Sequence, residues 1–236
     1  MLLYQSPDGY CYNSDSIFLI HFISSFAPRG RMLDVGCGVG IVGLVLSSKF
    51  TLTPSIIDKQ ISMIEYAKHN YDINQIAVDA YNEDFMDFKP NKPFEIIVSN
   101  PPFYADGVIK SENDSLHIAR YAMHLPLDSF FAKVHKVLSP QGRFFFCYDA
   151  KQIGDIFSML KKYHLTPEVV RFVHSKSDKE SKLALFACRH NSKASTKVLP
   201  PLTIFEKNDI YTNEAREAFE FASTHSIKAQ RGQVDD

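Results

Sequence analysis

The sequence predicts an α/β fold in which a mostly parallel, doubly wound sheet of seven strands ends in an antiparallel strand pair. Three observations predict it. Short apolar runs alternate with amphipathic helical segments along most of the chain. A glycine-rich turn follows the run 31–35 and opens a helical segment. Two β-rich runs, 168–174 and 183–189, are joined by a charged turn that is too short for a parallel crossover.

The elements follow one another in a regular order. A first helix begins at Ser14 or Asp15, because either side chain can cap its free N–H groups. The other predicted helices are 41–49, 60–70, 127–138 and 152–163. The remaining predicted strands are 55–58, 77–81, 94–99 and 143–148. Five strand–helix units ahead of a strand pair are typical of a doubly wound sheet.

Composition excludes several classes of protein. With 45% apolar and 22% charged residues among 236, the sequence suits one globular domain. No apolar run reaches the ~18 residues of a membrane span. The first residues lack the basic and apolar regions of a signal peptide. The four cysteines form no CxxC pair, so we expect no metal site and no disulfide framework, and a cytoplasmic location fits best.

Charge is distributed unevenly along the chain. Residues 1–100 carry 7 Lys+Arg and 11 Asp+Glu, residues 101–200 carry 15 and 9, and residues 201–236 carry 4 and 7. The middle stretch, with a net charge of +6, is therefore the part of the chain most suited to a polyanion. A solvated basic surface is the alternative interpretation.

The stretch LDVGCGVGIVGL, residues 33–44, places Asp34 at the end of a strand and three glycines ahead of a helix. Glycines allow a sharp turn and let a ligand approach the backbone, and the start of a helix offers free N–H groups. The stretch does not match GxxxxGK[ST], so a nucleoside triphosphate loop is not expected.

Two further carboxylates stand at strand ends. Asp58 ends the second predicted strand and could accept hydrogen bonds from a ribose diol, while Asp84 follows the third and could reach an adenine amino group. Either one alone could be a helix cap or a surface charge. Together with Asp34, beside a glycine turn, they favour a ligand site at this edge of the sheet.

The stretch VSNPPF, residues 98–103, ends the fourth predicted strand. Two prolines cannot continue a strand, because each lacks the N–H that a ladder needs. A stiff turn therefore presents Asn100 and Phe103 at the carboxyl end of the strand, which is where ligands bind in open α/β sheets. From these residues alone, an ordinary Pro-Pro turn explains the pattern equally well.

The sequence resembles class I S-adenosylmethionine-dependent methyltransferases over roughly residues 4–190. The motifs that carry this resemblance are Asp34–Gly40, Asp58, Asp84 and the stretch 100–103. The Asn-Pro-Pro-aromatic motif is similar to that of members that methylate amino groups of adenine, guanine or glutamine. The resemblance implies a Rossmann-like fold and S-adenosylmethionine as cofactor, with S-adenosylhomocysteine as product and no metal. It implies these cofactor-binding residues: Asp34, Gly36, Cys37, Gly38, Gly40, Asp58, Asp84, Phe85 and Asn100. It implies these catalytic residues: Asn100, Pro101, Pro102 and Phe103.

Three looser segments, 3–23, 100–131 and 210–219, resemble bacterial tRNA adenine N6-methyltransferases, which act on the adenine beside the anticodon of a valine tRNA (position 37). This resemblance implies tRNA as the partner, with no membrane and no obligate protein partner. Methylation of guanine in ribosomal RNA or of a protein glutamine is an alternative, and so is a non-catalytic module that binds the cofactor.

The same resemblance assigns roles to segments outside the motifs. It implies that Tyr10, Tyr12 and Asp15 belong to a lid over the cofactor, although a surface strand leading into the first helix is the alternative. Lys110, Arg120 and Tyr121 stand in a long connection of the basic stretch and could contact RNA. We therefore divide the chain into a lid segment with the first helix (1–30), a cofactor-binding core (31–190) and a C-terminal extension, with a helix and a polar tail, that packs on the same domain (191–236).

Overall fold

The computed structural model describes residues 1–7, 12–101 and 127–229. Its strands are β1 (Leu2–Gln5), β2 (Gly30–Val35), β3 (Leu52–Asp58), β4 (Asp79–Asn82), β5 (Phe94–Ser99), β6 (Leu138–Asp149), β7 (Leu165–His174), β8 (Ser181–His190), β9 (Lys197–Val198), β10 (Leu202–Thr203) and β11 (His225–Lys228). Its helices are α1 (Ser14–Ser24), α2 (Ile41–Lys49), α3 (Ile61–Ile73), α4 (Leu127–Val137), α5 (Ile153–Lys162) and α6 (Asn213–Ala222), with a 3-10 turn at Ala150–Gln152.

The main sheet confirms the predicted fold class. Its long strands lie in the order β7-β8-β6-β5-β2-β3-β4. Strands β6, β5, β2, β3 and β4 pair in parallel, whereas β8 runs antiparallel to both of its neighbours. The sheet has nine strands among the described residues rather than the expected seven, since β9 and β10 also pair with β7. Each of these has two residues, too few for an alternation of apolar and polar side chains to reveal them.

Two expected details differ from the structure, the cap of the first helix and the start of the strand predicted at 143–148. Helix α1 begins at Ser14 as expected, but no side chain caps it. Instead, Asn13 Nδ2 donates to Asp15 Oδ2 (2.9 Å). The Asp15 carboxylate, one of the two groups expected to cap the helix, is therefore hydrogen-bonded to a side chain. Residues 139–142, which separate the predicted helix 127–138 from the predicted strand 143–148, lie within β6, where the register opposite β5 shifts between the Phe94 and Ile96 pairs. The extra residues there bulge out of the ladder, so the strand continues past Pro140.

A small second sheet joins the two ends of the described chain, and the sequence did not predict it. Strands β1 and β11 pair in parallel, with Leu2 opposite His225. On its other edge, β1 meets the side chains of Asn70 in α3 and of Asn74, which directly follows α3. The Asn74 amide accepts from the Leu2 N–H (3.2 Å) and donates to the Leu2 carbonyl (2.7 Å). The Asn70 amide likewise accepts from the Tyr4 N–H (2.7 Å) and donates to the Tyr4 carbonyl (3.0 Å).

Helix α1 occupies a central position in the packing. It contacts α2 and α6, and it also contacts strands β6 and β8. Its side chains Ile17, Phe18, Leu19 and Ile20 are almost completely buried. The segment before the first core strand is therefore an integral part of the fold. None of the helices within the described ranges is long and apolar enough to cross a membrane.

Candidate active site

Parallel pairing brings four of the predicted site segments to one edge of the sheet. Strands β2, β3, β4 and β5 run in the same direction and end at Val35, Asp58, Asn82 and Ser99. The residues that follow these strands therefore share the carboxyl edge, where open α/β sheets bind their ligands.

The glycine turn between β2 and α2 needs its glycines for two different reasons. Gly36, Gly38 and Gly40 have φ values of 66°, 54° and 84°, a region that other residues rarely adopt. At Gly40 a Cβ would lie 3.1 Å from Ala67 Cβ, so this glycine lets α2 pack closely on α3. At Gly36 and Gly38 a Cβ would meet no atom within 4 Å. These two positions leave open space beside the backbone, as close approach of a ligand requires.

The Asp34 carboxylate lies beneath the start of α2. It is 2% exposed, and its Oδ2 accepts from the Gly43 N–H (2.9 Å). Burial raises the pKa of Asp34 to about 7, and the negative charge of Asp58 adds to this effect, while the Gly43 hydrogen bond opposes it. Asp34 thus ties the first turn of α2 to the end of β2, and a contact with the cofactor stays a prediction.

The Asp58 carboxylate is tied to the glycine turn. Its Oδ2 accepts from the Gly38 N–H (3.0 Å), and its Oδ1 accepts from the Gln60 N–H (2.9 Å). Burial raises the pKa of Asp58, and these backbone hydrogen bonds lower it. Since each carboxylate oxygen has a second lone pair, both oxygens can still accept from a ribose diol.

The segment after β4 holds the next two predicted residues in different environments. Asp84 is exposed, and its Oδ1 accepts from the Met86 N–H (2.9 Å), which closes a local turn. Phe85 is 5% exposed and packs edge-on against Phe130, with ring centroids 5.6 Å apart. Asp84 is therefore open to a ligand, whereas the Phe85 ring belongs to the core. Their roles toward a cofactor stay predictions.

The Asn100 side chain is held between two other elements. Its Nδ2 donates to Ser16 Oγ of α1 (2.9 Å), and its Oδ1 accepts from Cys147 Sγ of β6 (3.0 Å). Pro101 follows it and is buried. Sequence reasoning missed Ser16 and Cys147. The available signal was a serine next to the apolar run of α1 and a cysteine within the apolar run of β6.

A small cleft joins the glycine turn to Asn100. Its lining residues are Tyr12, Ser16, Asp34, Gly36, Cys37, Gly38, Val39, Ile41, Val42 and Asn100. Six of the predicted site residues thus share one cavity. The other predicted site residues of the described chain lie outside its lining, namely Asp15, Gly40, Asp58, Asp84, Phe85 and Pro101.

The lid residues are described only in part. The Tyr12 hydroxyl lies 3.0 Å from Thr224 Oγ1, and its backbone N–H donates to Gln5 Oε1 (3.0 Å). Burial raises the pKa of Asp15. The predicted residues that lie outside the described residues are Tyr10, Pro102, Phe103, Lys110, Arg120 and Tyr121. Within the described ranges, no group of three His, Cys, Asp or Glu residues could hold a metal ion.

The sheet is Rossmann-like, and a glycine turn, strand-end carboxylates and an asparagine lie at one of its edges. This combination defines the class of S-adenosylmethionine-dependent methyltransferases. The model of the methyltransferase small domain family matches residues 13–155, and the chain belongs to this family. The match covers β2 to β6, and with them the glycine turn and Asn100.

Comparisons with individual proteins agree with this class. The chain is 25% identical over 186 residues to the tRNA1(Val) (adenine(37)-N6)-methyltransferase of Phocaeicola vulgatus, covering 78% of each protein. It is 27% identical over 173 residues to the protein of the same name from Pedobacter heparinus, covering 71% of this chain and 72% of that protein. Among solved structures, a predicted O-methyltransferase from Agrobacterium tumefaciens superposes with a TM-score of 0.69 at 13% identity, covering 91% of this chain and 100% of that one. The structural likeness supports the fold.

Proposed function

We propose that the protein transfers a methyl group from S-adenosylmethionine to the N6 amino group of an adenine in tRNA, and that adenine 37 of a valine tRNA is its substrate. The observation that carries this proposal is the position of Asn100. It stands at the carboxyl end of β5, is followed by Pro101, and lines the same cleft as the glycine turn. The names of the two bacterial relatives support adenine in tRNA as the target.

The chemistry explains why an asparagine is useful at this position. The amino group of adenine is a poor nucleophile, because its lone pair is delocalised into the ring. Bound S-adenosylmethionine supplies an electrophilic methyl group on a sulfonium. The Asn100 Oδ1 and the Pro101 carbonyl can accept hydrogen bonds from the two N–H bonds of the amine. Holding both N–H bonds turns the lone pair toward the methyl carbon, as an in-line displacement requires. The N–C bond would form as the C–S bond breaks, S-adenosylhomocysteine would leave, and the amine would release one proton to water.

The residues around the glycine turn fit the proposed cofactor. Gly36 and Gly38 leave space beside the backbone, and the Asp58 carboxylate retains lone pairs for the ribose hydroxyls. Asp84 is exposed and could accept from the adenine amino group of the cofactor. We propose these residues, with Asp34 and Cys37 in the wall of the cleft, as the cofactor site.

The partner and the location follow from the proposed substrate. Phe103 would stack on the target base, and Lys110, Arg120 and Tyr121 would contact the RNA. The contacts between α1 and α6 and between β1 and β11 support the part of the proposed division in which the C-terminal extension packs on the same domain. A tRNA substrate places the protein in the cytoplasm, and the three free cysteines of the described chain, Cys37, Cys147 and Cys188, suit a reducing compartment.

Methyl transfer to RNA tests the proposal. The purified protein is incubated with labelled S-adenosylmethionine and total tRNA from a strain that lacks the modification, and the nucleosides are then identified. We expect N6-methyladenosine in tRNA. Asn100→Ala should lower kcat by roughly 100-fold or more while cofactor affinity stays nearly unchanged. Asn91→Ala, at an exposed asparagine, is the matched control.

Other outcomes would redirect or refute the proposal. Label in ribosomal RNA guanine or in a protein glutamine, with none in tRNA, would keep the amino-group chemistry and replace the substrate. A well-folded Asn100→Ala protein with wild-type turnover would refute the role of Asn100, and the amino-group assignment with it. Cofactor binding without transfer to any of these acceptors would favour a non-catalytic module.

A further inference from the structure

The two hydrogen-bond partners of Asn100 come from parts of the chain that the sequence motifs do not include. Ser16 lies in the first turn of α1, and Cys147 lies near the end of β6. They contact opposite ends of the same amide, at 2.9 Å from Nδ2 and 3.0 Å from Oδ1. Neither residue has a role in the proposed chemistry so far.

Both partners are buried polar groups. Ser16 is 4% exposed and is followed by the fully buried apolar side chains of α1. A buried hydroxyl costs free energy unless it is hydrogen-bonded, so the contact with Asn100 helps to stabilise a serine at this position.

Cys147 is fully buried, as are Phe146 and Tyr148, its neighbours in the sequence. Burial raises the pKa of the Cys147 thiol well above its ordinary value, and the negative charge of Asp15 adds to this. The thiol is therefore protonated at neutral pH and can donate.

The bonding capacity of the amide leaves room for a substrate. An asparagine side chain has two N–H donors and two acceptor lone pairs on its oxygen. Ser16 takes one donor and Cys147 takes one lone pair, so Oδ1 keeps one lone pair for a target amine. The terminal torsion of asparagine is otherwise broad, and contacts at both ends of the amide restrict it.

We infer that Ser16 and Cys147 are positioning residues that fix the plane of the Asn100 amide, so that its free lone pair meets the target amine; the inference rests on the proposed role of Asn100. The catalytic geometry then depends on three separate elements, α1, β5 and β6. The target amine touches Asn100, and the two positioning residues act only through it.

A double-mutant cycle tests this dependence. Ser16→Ala and Cys147→Val should each lower kcat by roughly 10- to 100-fold, since small misplacements of a positioning group have effects of this size. Cys147→Ser, which keeps a donor, should retain more activity than Cys147→Val. In an Asn100→Ala background neither change should lower kcat further. The same loss in both backgrounds would overturn the inference.

Matched controls separate positioning from packing. Ser24→Ala removes a hydroxyl of the same helix that bonds to the His21 carbonyl. Cys188→Val changes an equally buried thiol of the same sheet, on β8. Both controls should keep wild-type kcat and the wild-type cofactor affinity measured by calorimetry. Ser16→Ala deletes a single oxygen atom, so it tests the inference even if valine at position 147 disturbs the core.

A readout without catalysis distinguishes failure of this inference from failure of the proposed function. The side-chain amide of Asn100 gives a nuclear magnetic resonance signal that is identified by its absence in Asn100→Ala. Ser16→Ala should shift this signal and speed its hydrogen exchange, and Ser24→Ala should not. An unchanged signal in Ser16→Ala would overturn the positioning role. If the signal responds but the wild-type protein methylates no adenine, the proposed substrate fails and the contact stands.

Discussion

The buried carboxylate of Asp34 makes stability depend on pH in a direction opposite to that of an ion-paired carboxylate. Burial raises the pKa of Asp34 from about 3.8 in the unfolded chain to about 7 in the folded protein. The folded state therefore holds a proton that the unfolded state has released between these pH values. The contribution of Asp34 to the free energy of unfolding is therefore highest below pH 4, and it falls as the pH rises to about 7.

The size of this effect follows from the pKa difference. A shift of about three units at 1.36 kcal/mol each corresponds to a loss on the order of 4 kcal/mol between pH 4 and pH 8. Asp34→Asn removes the charge and keeps an oxygen that can accept from the Gly43 N–H. We expect the variant to lose this part of the pH dependence and to be more stable than the wild type at pH 8.

Urea unfolding of the ligand-free protein at pH 5, 6, 7 and 8 measures the effect. The difference in unfolding free energy between Asp34→Asn and the wild type should grow from pH 5 to pH 7 and level off by pH 8, above the folded-state pKa of about 7. Asp72→Asn, at an exposed carboxylate, is the control and should run parallel to the wild type. Parallel curves for Asp34→Asn and the wild type would refute the reasoning, because they would mean that Asp34 titrates at its ordinary pKa.

Four further predictions concern the cofactor, the fold, the binding of RNA and the stacking of the target base. Asp58→Ala should weaken S-adenosylmethionine binding by ~1–3 kcal/mol, because it removes the proposed acceptor of the ribose diol. An unchanged affinity in calorimetry would reject Asp58 as the ligand of the diol. Gly40→Ala should destabilise the fold by about 1–3 kcal/mol, because φ is 84° and the new Cβ would meet a side chain at 3.1 Å. Gly154→Ala, with open space around its Cβ, should not destabilise it, and equal melting temperatures for the two variants would contradict this account. Binding of tRNA should weaken with salt, less steeply in Arg120→Ala, and a salt-independent affinity would exclude a polyanion site. Phe103→Ala should raise KM and lower kcat while Phe103→Tyr stays active, and a fully active alanine variant would exclude stacking.

The sequence predicted the edge of the sheet on which the site lies, because strand direction and strand ends follow from local patterns. The positions of Asp58 and Asn100 at this edge were predicted in this way, and their roles toward a ligand stay predictions. The partners of these side chains could not be predicted, since they depend on packing between distant segments. Ser16 lies 84 residues from Asn100 along the chain, and Cys147 lies 47 residues from it. The backbone hydrogen bonds that occupy Asp58 likewise depend on the exact shape of the glycine turn.

The two asparagines that bond to β1, Asn70 in α3 and Asn74 at the C-cap of α3, have a consequence for association between molecules. An unpaired strand edge can recruit a strand from another copy of the chain, which is a common route to aggregation. One side of β1 is occupied by β11, and the Asn70 and Asn74 amides occupy the other with the same alternation of donor and acceptor that a neighbouring strand would offer. These two side chains thus substitute for a third strand, and β1 offers no open edge for self-association.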